Sequence, residues 1–385
     1  MNNKDKNPVF ILGLFDTGVY TARLLRNKNI PILGFDYDEE NPGFYSNIIE
    51  AIKILNPIEN NDIVISSILN YRRKFKKKPI LIAASEIFLS FIEKNREVLE
   101  QEFLFLLPPN NILKRILNRA QQFQLAKNCG INVPKFFLVN TKSELENTYG
   151  KITFPIMVRG VDQVKWKLFT KKKAFYYNNY EPFYKDLLNL IKNGIGVLIE
   201  EIIEGDINNN FEYNALFNNG KIIEFNINQK LRQYPIDFGS ACHLRNVINE
   251  KVQFLGEKFV IKNNIEGFSN TEFKYSSNEG EYYFIETNVR VWQQIELTKK
   301  INQNFVLLYY NILTSGDSIY NNRVTKFKSI HWIDLPTFVL LFFKFRKKIC
   351  MNFLNFFKSI IKAKYYGLID IRDMRPFLKS IKIFR

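Results

Sequence analysis

Glu272, Glu286 and Asn288 are the residues of this 385-residue chain whose types and spacing best suit chemistry. They lie on two runs, 268–275 and 281–288, that are rich in Phe, Tyr and Ile. The Asn278-Glu279-Gly280 step between the runs suits a three-residue hairpin loop with glycine in the left-handed position. In that register Glu272 faces Glu286, and Asn288, two residues further on, shares their side of the strand. Carboxylates directly opposite one another repel. The pairing becomes favourable when an oxygen-seeking divalent cation such as Mg²⁺ sits between them, shared with nucleotide phosphates. The competing reading of the same residues is two solvated glutamates on an amphipathic hairpin. A one-residue slip would turn Glu272 away from Glu286 and dissolve the ligand set.

The rest of the composition narrows the field. The chain is long enough for two or three compact units, and 46% hydrophobic residues with 15% aromatics supply their cores. Two histidines, His243 and His331, and three scattered cysteines, Cys129, Cys242 and Cys350, give no zinc-ligand spacing and no disulfide framework. Dispersed cysteines suit a reducing cytoplasm, and no apolar run of the signal-peptide kind opens the chain. Nothing approaches the ~20 apolar residues of a membrane span. The net charge of +17 is concentrated at the end: residues 326–385 hold 14 Lys/Arg against three Asp, a balance of +11. That tail interleaves the basic residues with Phe, Ile and Leu, as in Phe342-Phe-Lys-Phe-Arg-Lys-Lys348. Such a segment either lies on an anionic membrane surface or packs its aromatics on the body with lysines outward. No nucleic-acid reader motif accompanies the charge, so nucleic acid is not an expected partner.

The elements that must position the hairpin follow from the pattern upstream. Val9-Phe-Ile-Leu-Gly13, a helix from Gly18 to about residue 27, and Ile30-Pro-Ile-Leu-Gly-Phe35 ending at Asp36 read as strand, glycine turn, helix, strand. The dinucleotide fingerprint fails, because its middle glycine is absent, and no Lys-Ser/Thr follows Gly18 to make a P-loop. Further buried strands are predicted over 80–85 and 103–107 with a charged helix over 86–101 between them, making the first ~110 residues a small parallel α/β unit. A helix over 113–128 and a strand over 135–139 come next. Mostly antiparallel strands follow over 154–159, 196–200, 211–217 and 221–227, the last two joined through Asn218-Asn-Gly220.

In this order of elements, residues 119–301 resemble the ATP-grasp superfamily of carboxylate-amine ligases. The most specific signal is Phe284-Ile-Glu-Thr-Asn-Val-Arg290, similar to the family's closing Glu-x-Asn-x-Arg motif, preceded by Thr271-Glu-Phe. The G-x-x-x-x-G opening with Phe44-Tyr-Ser46 resembles members tied to cell-surface polysaccharide or peptidoglycan modification, and D-aspartate ligases are similar. The fold class implied is α/β and α+β. A Rossmann-like pre-ATP-grasp domain would span 1–112, the ATP-grasp domain with its nucleotide and metal sites 113–320, and a basic amphipathic segment 321–385.

The resemblance assigns Glu272, Glu286 and Asn288 to Mg²⁺, with Mn²⁺ able to replace it, held against the phosphates of ATP. Arg290 would neutralise the transferred phosphoryl group or the substrate carboxylate. Arg159 and Arg119 fall where the family carries phosphate-contacting lysines. Residues 198–206 resemble the hinge that receives adenine, with Glu200 ending its strand, the backbone of Glu201, Ile202 and Ile203 on the base, and Glu204 on the ribose. Lys230 and Arg232 would approach the phosphates and the acyl phosphate, with residues 237–240 as a substrate loop. His243 beside them reads as a loop histidine without a catalytic task. Between Arg159 and Ala174 the family's glycine-rich flap is reduced to one glycine, Gly160, so that lysines are expected on the phosphates and Trp166 and Phe169 in packing or a lid. The implied activity joins a carboxylate and an amine, as small molecules or parts of a glycan or peptide, with release of ADP. Rival readings are a nucleotide-binding protein that has lost turnover, motivated by the Arg-for-Lys changes, and a polyanion-binding module using the tail alone. An NAD-dependent oxidoreductase ranks last.

Overall fold

The computed structural model describes residues 6–236, 239–316 and 329–383. The first unit comprises β1 (Val9–Leu12), α1 (Asp16–Leu24), β2 (Ile32–Asp36), β3 (Glu50–Lys53), α2 (Asn61–Arg72), β4 (Ile80–Ala83), α3 (Glu86–Lys94) and α4 (Arg96–Glu102). Its strands are all parallel, in the order β3-β2-β1-β4. β1 and β4 are unbroken apolar runs buried along their length, as strands covered on both faces must be. The crevice of such a sheet lies at the carboxyl ends of the strands where the winding reverses, here between β1 and β4. Asp36, the acid that ends the second strand, is spent on the glycine turn: its carboxylate accepts from the Leu14 backbone N–H at 2.6 Å and from Asn41 at 2.9 Å.

Two expectations for this unit change in detail. The helix over 86–101 is two helices, interrupted at Asn95, whose side-chain amide donates to the Phe91 carbonyl. The strand over 103–107 reduces to one bridge, Leu104 on Ile80. Leu104 alone keeps ladder bonds, accepting from the Leu81 N–H and donating to the Pro79 carbonyl; Arg96 donates to the carbonyls of Leu107 and Pro108, and the Leu106 N–H goes to the Tyr309 hydroxyl.

The helix over 113–128 is likewise divided into α5 (Asn110–Ile116) and α6 (Arg119–Asn128), because Asn118 leaves helical geometry and caps α6 through the Gln121 N–H. A small antiparallel sheet in the order β5-β8-β6-β7 follows. It is built from β5 (Phe136–Val139), α7 (Lys142–Glu146), β6 (Ile156–Gly160), α8 (Gln163–Thr170), β7 (Phe175–Tyr177), α9 (Tyr180–Lys192) and β8 (Val197–Glu201).

The remainder of the chain forms a seven-stranded sheet. Its elements are β9 (Asn210–Asn218), β10 (Lys221–Tyr234), β11 (Ser240–Val247), α10 (Glu250–Lys262), β12 (Gly267–Ser276), β13 (Glu281–Asn288), α11 (Leu297–Lys300), α12 (Phe305–Ser315), β14 (His331–Ile333), α13 (Leu335–Phe345), α14 (Phe353–Lys362), β15 (Ala363–Tyr365) and α15 (Arg375–Ile383). The strand order is β13-β12-β9-β10-β11-β14-β15. One face carries Tyr213, Phe225, Phe273 and Phe284 into a core with Val252 and Phe259 of α10. The other face is polar over much of its extent, and the period-2 alternation of the strands produces the division.

The basic C-terminal segment is helical, and it also adds two strands to this sheet, β14 beside β11 and β15 at the edge. Phe338, Leu341, Phe342 and Phe356 pack inward against Cys242 and Ile333. The chain then returns to the first unit, where Arg23 donates to the carbonyls of Leu368 and Asp373 and pairs with the Asp373 carboxylate at 3.3 Å. Among the described residues, no helix is long and apolar enough to cross a membrane.

Candidate active site

The expected pairing of Glu272 with Glu286 is present, but two departures from the expected hairpin cancel to produce it. The loop holds four residues, since Ser276 pairs with Glu281, and a bulge between Glu272 and Phe273 leaves Ile285 as the extra residue on β13. The longer loop shifts the register by one and the bulge shifts it back. Ile285 and Glu286 consequently both line the same cavity.

On its other side Glu272 pairs with Glu212 of β9, and Glu212 pairs with Asn228 of β10. Glu286, Glu272, Glu212 and Asn228 therefore stand in one row across four neighbouring strands. A second row, two residues along, consists of Asn288, Asn270, Asn214 and Asn226. The Asn270 amide donates to Asn214 at 2.7 Å and the Asn214 amide to Asn226 at 2.9 Å, so these three form a connected, buried ladder, while the Asn288 amide turns to Glu286.

The like-charge problem posed by the glutamates is met by the protein's own cations. Arg119 donates to Glu286 at 2.5 Å, Arg159 lies 3.6 Å from Glu286 and 3.3 Å from Glu200, and Lys230 sits 2.6 Å from Glu272 and 3.8 Å from Glu212. Burial opposes ionisation of Glu286, yet Arg119, then Lys173 and Lys230, hold its carboxyl well below the usual carboxylate range. Glu200 and Glu212 are pushed up to about 7, chiefly by burial, with Arg119 and Lys230 respectively pulling the other way. Burial pulls the Lys230 ammonium down, but Glu272 and Glu212 more than offset this and raise it.

Several of these groups line a cavity of about 710 Å³, with Arg119 and Glu212 behind them. Its lining includes Arg159, Glu200, Glu201, Ile202, Ile203, Lys230, Arg232, Glu272 and Glu286 from the sequence-derived set. Lys173 also lines it, in keeping with a lysine in place of the glycine flap, and α8 occupies the rest of that stretch. Trp166 packs edge-on against Phe175, while Phe169 is exposed. Arg119 and Asn288 are not in the lining; Arg119 is buried behind the carboxylates it pairs with. The Glu204 side chain accepts from Asn278 of the hairpin loop instead of facing the cavity. Arg290 lies beyond the end of β13, and its guanidinium faces the first unit, 3.4 Å from Glu86 at the start of α3. Of the expected substrate loop, Asp237 and Phe238 lie outside the described residues, while Gly239 lines the cavity. His243 is in strand β11 and not a loop, buried with its ring nitrogen 2.9 Å from that of His331. Burial, more than His331 and nearby arginines, lowers it to about 3 and keeps it neutral.

The donor set suits a hard divalent cation. Glu272 and Glu286 present only oxygen, and the Asn288 amide lies 3.3 Å from Glu286. Among the described residues no group of three or more His, Cys, Asp or Glu side chains forms a metal cage by itself. Glu212 was missed at the sequence level. Its only signal is the two-residue spacing to Asn214 on a run whose strand neighbours are remote in sequence.

No family model matches the chain. A D-aspartate ligase of Enterococcus faecium (strain Aus0004) is 22% identical over 271 residues, covering 66% of this chain and 63% of that ligase. The chain thus spans less than two thirds of the curated relative it matches. Among solved structures, an L-amino acid ligase from Bacillus licheniformis superposes with a TM-score of 0.61 at 16% identity, covering 81% of this chain and 75% of that one. An N5-carboxyaminoimidazole synthetase from Staphylococcus aureus does so with a TM-score of 0.64 at 15% identity, covering 90% and 88%. The same synthetase is also known in complex with ADP.

Proposed function

We propose that the chain is an ATP-dependent ligase of the ATP-grasp superfamily that joins a carboxylate to an amine, a reading supported by the fold it shares with the amino acid ligase and the synthetase. The observation that carries this reading is the set Glu286, Glu272, Arg159, Lys173 and Lys230 lining one cavity, with Glu212 buried behind Glu272 in the same row. Adenine would lie along the backbone of Glu201, Ile202 and Ile203, with Glu204 swinging from Asn278 to the ribose. Arg159, Lys173, Lys230 and Arg232 would hold the phosphates, with Arg119 fixing Glu286 and Glu200 from behind.

Glu272, Glu286 and Asn288 would hold Mg²⁺ or Mn²⁺, which supplies charge neutralisation on the phosphates. The γ-phosphoryl group passes to the substrate carboxylate, giving an acyl phosphate, and the amine then attacks the acyl carbon to form the amide and release phosphate. Positioned cations supply the main help in such a transfer, because charge rather than covalent chemistry dominates it. Arg290, turned to the first unit and Glu86, suits the carboxylate of the substrate before transfer. The units 1–112, 113–320 and 321–385 would serve as substrate platform, nucleotide domain and basic flank. The substrates would belong to a cell-wall peptide or a surface glycan, an acceptor whose negative charge suits the basic flank. The protein would work in the cytoplasm, in peripheral contact with the inner face of the membrane.

The test is ADP release measured over pairs of candidate acids and amines. Amine-dependent turnover is expected, with a fall of about 10²-fold or more in Glu286→Ala. Turnover unaffected by this substitution would remove the metal assignment. A second reading, nucleotide binding without turnover, is favoured by the replacement of the glycine flap by α8. It predicts ATP affinity with no ADP release over the same panel.

A further inference from the structure

The C-terminal segment does not follow either of its two sequence-level readings alone. In α13 and α14 one set of aromatics packs inward, while Phe343, Phe353, Leu354, Phe357 and Ile361 face outward, Ile361 at 76% exposure. On α14 the outward residues occupy positions 353, 354, 357 and 361, which the 3.6-residue period gathers into a single stripe. Phe356 lies on the inward side of that stripe, and exposed Lys358 and Lys362 flank it on the other. Residues 335–369 contain seven Lys/Arg and no Asp or Glu.

We propose that the α13–α14 hairpin is a docking surface for an anionic lipid bilayer, with the apolar stripe of α14 entering the headgroup boundary and the flanking lysines on lipid phosphates. The chemistry is that of an interfacial amphipathic helix, in which buried apolar area and attraction to anionic lipid add together. A second copy of the chain is disfavoured as the occupant. A two-fold contact through this face would bring two like-charged surfaces with no acidic partner against each other.

The surface is also tied to the cavity. Lys348, Ile349 and Cys350, the turn between α13 and α14, line the same space as Lys230 and Glu286. Docking through α14 thus sets the cavity beside the bilayer, where an acceptor carried on a lipid would present itself. This consequence for the acceptor rests on the ligase reading; the docking itself does not.

The experiment is flotation of the full chain with vesicles of phosphatidylcholine alone and of phosphatidylcholine with phosphatidylglycerol. Binding is expected only to the anionic vesicles, with about a tenfold or greater loss in the double variant Phe353→Ser, Phe357→Ser. Unchanged near-ultraviolet circular dichroism and unchanged ADP release on water-soluble substrates would show that the variant is folded. A third variant, Phe357→Trp, reports insertion directly through a blue shift of emission on anionic vesicles, since Trp166, Trp292 and Trp332 are buried and give a constant background. No binding by the folded wild type overturns the proposal. So does binding that is indifferent to the phenylalanines and abolished by moderate salt, the behaviour of a general polyanion site, and so does concentration-dependent dimerisation that the double variant abolishes. Loss of ADP release with intact vesicle binding would defeat the ligase reading and leave this one standing.

Discussion

At the scale of the residue, the site is governed by compensation among buried charges. Lys230 serves two carboxylates, Glu272 and Glu212, and no other cation pairs with either among the described ion pairs. Removing one member of a buried pair leaves an uncompensated charge, whereas neutralising a group that already holds a proton does little. Lys230→Met is therefore expected to destabilise the fold by about 3–5 kcal/mol. Glu212→Gln, which imitates the protonated form that burial favours, should stay within about 1 kcal/mol of the parent. Urea unfolding midpoints of the two variants check the asymmetry, and equal losses would contradict it.

At the scale of the element, the hairpin shows how much of this site was legible in the sequence. Glu272 opposite Glu286 was reached from residue spacing with a three-residue loop, and it is present because a longer loop and a bulge offset one another. The four-residue loop and the Ile285 bulge could not be read from spacing, since both depend on how β12 packs against β9 on its other edge. Glu212 and the asparagine ladder share that cause: their neighbours lie 12 to 60 residues away, and strand order is not a local property. The division of the second predicted helix did carry a local signal, an asparagine at the capping position 118, which the reading of one helix passed over; Asn95 makes no such cap. Helix α10 closes the far face of the sheet through a contact of the same non-local kind. A Cβ at Gly256 would stand 2.2 Å from Cγ of Tyr213. Gly256→Ala gains about 1 kcal/mol of helix propensity but must lift α10 from the sheet, so a net loss of about 1–3 kcal/mol is expected. In a thermal-unfolding double-mutant cycle Gly256→Ala should cost little in a Tyr213→Ala background, which lacks the atoms in contact; an equal cost in both backgrounds would locate the strain elsewhere.

At the scale of the whole molecule, the first unit and the C-terminal segment meet over buried acids. Asp16 is pushed up to about 8, by burial first and by Asp334 second, with Arg23 opposing, and burial brings Glu296 up to about 7. A carboxyl whose folded value is raised contributes stability that is complete below its unfolded value near 4 and is lost as pH rises through the folded value. The melting temperature should therefore fall between about pH 4 and 8 on account of these groups, and Asp16→Asn should fall less over the same range. Parallel curves for parent and variant would show that Asp16 does not carry the effect. The same junction bears on the order in which the protein is made. Arg23 in α1 and Ser46 find their acidic partner in Asp373, and Arg26 finds its own in Asp370. A chain leaving the ribosome N-terminus first presents α1 long before either aspartate exists. The first unit to be synthesised is thus among the last to be finished, and a nascent chain stalled short of residue 370 would hold Arg23 and Arg26 without the carboxylates that ion-pair with them in the finished fold.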